Sequence, residues 1–138
     1  MNRDFPHIDI QYGGGDKLYI AAVNGSGFDI TVDASMQENT LCFGPWHDHF
    51  QPNDEGDREL LQLLGYGLSK LGRVKVINKG KRTVRSAFEV IDEKGEWIEH
   101  SETGLVVFNP LAKKSITYLQ NDLIPVDAIR SNKASTTE

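Results

Sequence analysis

In the stretch GPWHDHFQP, Gly44 to Pro52, two histidines flank an aspartate. If residues 45–50 are extended, His47 and His49 point to one face and Trp46, Asp48 and Phe50 to the other. Two imidazoles at i and i+2 can chelate one ion from a strand. Neutral imidazole suits zinc or another divalent transition metal. A catalytic zinc usually takes three protein ligands. The metal candidates are His47 and His49, with His100, His7, Asp9 and Glu102 as candidates for the third ligand, among which the sequence does not select. The pair is similar to the opening of the cupin metal motif, but the glycine lies too close before His47, a helix follows where cupins continue with strands, and the second cupin motif is missing. In the competing structural reading, the stretch is a strand exit limited by Pro45 and Pro52, and Trp46 and Phe50 are core or lid aromatics over a helix N-terminus. The histidines then hydrogen-bond backbone groups there, and no cofactor is needed.

A second feature is charge. Residues 60–88 contain no acid and seven bases: Lys70, Arg73, Lys75, Lys79, Lys81, Arg82 and Arg85. They sit on an otherwise acidic chain with net charge −5, in which residues 1–59 carry net −8. A basic hairpin can hold phosphates or a carboxylate-rich partner. Arg73, Lys75, Lys81, Arg82 and Arg85 are its candidate binding residues, with Trp46 as a further candidate. No aromatic for base stacking lies within the hairpin, and Phe88 reads as core, so nucleic acid is not the expected partner. The opposite reading is an edge hairpin that lysines protect against aggregation.

Other motifs carry less. GGGDK, Gly13 to Lys17, lacks the spacing, hydroxyl residue and following helix of a phosphate loop. Cys42, the single cysteine, lies in an apolar strand and reads as inert core. Glu99, His100 and Glu102 form a potential acid/base set near a strand end, with polar surface as the blander reading.

The elements that must position these residues follow from periodicity. Leu18–Val23 and Phe28–Asp33 read as strands joined by an NGSG turn, and NTLCF, ending at Phe43, as a third. Acids crowd Asp54 to Glu59, and Leu60, Leu64, Leu68 and Leu71 recur at helical spacing, so a helix is expected over 54–71, closed by Gly72. Gly67, inside the leucine stripe, would let that helix approach a sheet closely. RVKVIN, TVRSAFEVI, EWIE, TGLVVF and SITYLQN read as further strands. The expected fold is α+β: a curved, mostly antiparallel sheet of seven or eight strands with one main helix packed on it. One domain spans 1–130, and 131–138 form a polar, disordered tail. One cysteine, no apolar leader in MNRDFPHIDIQY and no long apolar run point to a cytoplasmic protein outside the membrane.

GPWHDHF, the leucine-rich helix and TGLVVF together resemble small bacterial proteins that carry a W-H-x-H-F stretch, over about residues 18 to 121. The resemblance implies no particular activity. In size and acidity the chain is also similar to bacterial immunity proteins. These readings give three functional expectations: a non-enzymatic module that binds a protein partner, a metal-binding protein or metal-dependent enzyme using His47 and His49, or binding of an anionic ligand or nucleic acid at the 70–85 hairpin.

Overall fold

The computed structural model describes residues 10–13, 16–23, 25–35, 37–104, 113–127 and 129. Within them the chain forms β1 (Ile10–Tyr12), β2 (Lys17–Ile20), β3 (Ile30–Ala34), β4 (Asn39–Phe43), β5 (Trp46–Phe50), helix α1 (Asp54–Leu68), β6 (Gly72–Lys79), β7 (Arg82–Ile91), β8 (Trp97–Gly104) and β9 (Lys114–Leu119). The strands build two antiparallel sheets, of order β1-β2-β3-β4-β5 and β8-β7-β6-β9. The α+β class stands. The single sheet of seven or eight strands gives way to nine described strands in two sheets.

The reason for the division lies where the edges of β5 and β8 meet. No backbone ladder joins them. Instead Thr103 Oγ1 donates to the His47 carbonyl at 3.0 Å and accepts from the His47 amide at 3.3 Å. Trp46 Nε1 donates to the carbonyl and hydroxyl of Ser101, at 3.1 and 3.2 Å. Side chains thus meet the hydrogen-bonding needs that a ladder would otherwise meet.

β4 and β5 form a tight hairpin that turns at Gly44, whose φ of 56° favours glycine. The motif is therefore a full paired strand and not a strand exit. Asn53 caps α1 by accepting from the Gly56 amide at 2.8 Å, and Asp54, Glu55 and Asp57 complement the dipole in the first turn. The helix ends three residues before the expected Leu71 because Ser69 is already extended. The amides of Leu123 and Ile124 then satisfy the Leu68 carbonyl. Gly72 opens β6 and has no positive φ, so it is not the cap that its position suggested.

The core lies between α1 and the two sheets. Phe43 stacks on Trp46 at 5.2 Å and tilts against Phe28 and Phe88 at 5.1 and 4.7 Å. A Cβ on Gly67 would collide with the Phe43 ring, so the glycine does permit the close helix–sheet approach. Buried Asn121 ties the layers together. Its amide group bonds both backbone groups of Phe28 and the carbonyl of Gly67. No helix among the described residues is long and apolar enough to cross a membrane. Most of TGLVVF, after Gly104, and the tail 131–138 lie outside the described residues.

Candidate functional site

The strand pleat places the histidines as their spacing predicts. On β5, Trp46 and Phe50 are buried while His47 and His49 are exposed, their rings 5.4 Å apart and edge to face. His49 Nδ1 lies 3.1 Å from Thr40 Oγ1 and 3.2 Å from Glu38 Oε1, so it is held from β4 and its preceding loop. His100 does not join them. It belongs with Asp48, whose Oδ2 lies 3.5 Å from His100 Nε2 on the opposite side of β5. Glu102 faces Arg85 at 3.6 Å. His7 and Asp9 fall outside the described residues. Among the described residues no three His, Cys, Asp or Glu side chains gather to hold a metal.

His100 owes its position to a bulge. Phe88 pairs with Ser101 while Glu89 pairs with Glu99, which leaves His100 as the extra residue on β8. The bulge brings both His100 and Ser101 to Asp48, and Ser101 Oγ donates to it at 3.3 Å. It also resets the phase of the strand. Ile98, opposite Val90, then shares the helix-facing side with Phe88. Trp46, a candidate ligand contact, is 0% exposed and lies in the core, where it cannot touch a ligand.

The basic hairpin divides into two parts. Arg73 is used internally. Its guanidinium lies 4.2 Å from the centre of the Trp97 ring and 4.1 Å from that of Tyr118, and its Nε donates to Glu89 at 2.7 Å. Arg85 is paired with Glu102. Lys75, Lys81 and Arg82 form no ion pair with a described residue. Lys79 sits directly between Arg82 on β7 and Lys114 on β9. Lys114 is a member of this cluster that no local pattern in the sequence reveals, because only the β6–β9 register brings it there.

An open cleft of about 1070 Å³ lies between α1 and the β7–β8 hairpin. Its apolar floor includes Leu63, Val90, Ile98 and Ile129. Ile98 is 54% exposed although it lies on the sheet face that packs against the helix. Glu59, Asp92, Glu93 and Glu99 stand around this floor, and among the described residues neither lysine nor arginine lines the cleft. His100 is the one described lining residue that can become cationic. The sequence shows these acids as ordinary helix and turn polarity. The uncovered Ile98 that makes them a rim depends on the bulge.

Cys42, half-buried on β4, has its thiol pKa raised first by burial and then by the charge of Asp33. A thiol held in its neutral form is a poor nucleophile. Comparison with protein-family models, curated proteins and solved structures gives no significant match.

Proposed function

We propose that this chain is a non-enzymatic interaction module that binds a basic protein through the acid-rimmed cleft between α1 and the β7–β8 hairpin. The carrying observation is that, among the described residues, the cleft combines uncovered apolar surface at Ile98 with four acidic residues and no lysine or arginine. Apolar surface inside a rim of one charge is the pattern of a docking site, and the rim would steer an oppositely charged partner and reject like-charged ones. Asp92 is already committed to its turn, accepting from the amides of Lys94 and Glu96. Glu59 and Glu93 form no ion pair with a described residue, so they remain available. An immunity-like role, in which an acidic cytoplasmic protein covers a basic toxin, fits this chemistry.

Co-expression with the products of neighbouring genes tests the reading. A stable complex with a basic product, weakened by salt and by Glu59→Lys with Glu93→Lys, is the expected result. Failure of every basic neighbour to bind, or binding indifferent to both changes, would reject it.

A further inference from the structure

The face of the four-stranded sheet turned away from α1 is distinct from the acidic cleft; its acids Glu89 and Glu102 are paired with Arg73 and Arg85, which leaves a row of cations unpaired among the described residues. Val74, Val76 and Phe88 point into the core, so their alternates on β6 (Arg73, Lys75, Ile77 and Lys79) point outward. Strand register then fixes what stands beside them. Arg82, Lys79 and Lys114 form one row across β7, β6 and β9. Ile77 stands beside Ile116, and Lys75 beside Tyr118. Like charges directly opposite one another destabilise a sheet, and here three stand in a row. Edge protection would explain Lys114 on β9, and Arg82, which lies past the described end of the β7–β8 pairing, but not Lys79 between them. None of Lys75, Lys79, Arg82 or Lys114 pairs with a described acid, and residues 105–112 contain no charged side chain.

The same face supplies the aromatic that the hairpin itself lacks. Tyr118 is 46% exposed while one side of its ring rests on Arg73. Ile116, 47% exposed, extends the apolar surface toward the cationic row. Cations beside an exposed, braced aromatic ring are what a single strand of nucleic acid needs: charge for its phosphates and a flat surface for a base. An acidic protein would use the charges but would leave the ring without a stacking partner.

We infer that this outer face binds single-stranded nucleic acid, with phosphates along Arg82, Lys79, Lys114 and Lys75 and a base on Tyr118. Anisotropy of fluorescein-labelled oligouridine and oligothymidine with the full chain tests this, with inorganic polyphosphate and polyglutamate as competitors. Binding should weaken with salt along a log–log slope of about −2 to −3, as three to four phosphate contacts on a single strand give. Lys79→Glu with Lys114→Glu should weaken it about tenfold or more, given how strongly phosphate contacts dominate such binding. Lys17→Glu with Lys94→Glu, elsewhere on the surface, should not. Tyr118→Leu, checked for an unchanged melting curve, should weaken the oligonucleotides about fivefold but leave polyphosphate unaffected, because stacking needs a base. No binding at low ionic strength, or equal losses from the control pair, would overturn the inference. Polyphosphate binding as tightly as the oligonucleotides, or tighter binding of polyglutamate, would also do so, by assigning the face to bare phosphate or to an acidic protein.

Discussion

The hydroxyl of Thr103 takes both backbone groups of His47, donating to the carbonyl at 3.0 Å and accepting from the amide at 3.3 Å. One side chain thus joins two sheets where no ladder does. Thr103→Val keeps the shape and removes both bonds. Water reaches this edge, so the cost should be about 1 kcal/mol, near the middle of the range for one hydrogen-bonding group. A urea titration measures it. No change in midpoint would mean that the seam is held by Trp46 and Ser101 alone.

Gly67 faces the Phe43 ring at the closest approach of helix and sheet. Gly67→Ala should raise helix propensity yet destabilise the protein, because the ring is locked among Phe28, Trp46 and Phe88. Overpacking of this kind costs about 1–3 kcal/mol, more than the roughly 1 kcal/mol that alanine gains over glycine in a helix. Thermal melts give the sign directly.

Cys42 should alkylate slowly. Burial and then the Asp33 carboxylate raise its thiol pKa, so at a given pH less thiolate is present than for a free cysteine. The rate with iodoacetamide should keep rising at pH values where an unhindered thiol has levelled off. Asp33→Asn should lower the pH at which the rate levels off, while leaving the slowing due to burial. A plateau at the ordinary thiol pKa would contradict the assignment.

Local pattern carried much of this architecture. The acids before the leucine stripe located the start of α1, and the small residue in that stripe located its tightest contact. Alternation about Trp46 placed both histidines outward. The features that failed were those set by distant partners. The bulge at His100 moves Ile98 to the helix-facing side, and no residue type announces it. Arg73 reads as a free cation until Trp97 and Tyr118 close over it from two other strands. His100 carries the right chemistry for the His47–His49 pair, but the pleat sends it to Asp48 instead. Register decides all three, and register is a property of strand pairs.

The most direct test of the central claim is calorimetric titration of a co-purifying basic partner into the wild-type protein and into the Glu59→Lys, Glu93→Lys variant. Docking in the cleft predicts affinity about tenfold weaker in the variant at low ionic strength, since each lost pair becomes a repulsive one. It also predicts that the difference shrinks as salt screens both proteins. Equal affinities for the two proteins at low ionic strength would contradict it.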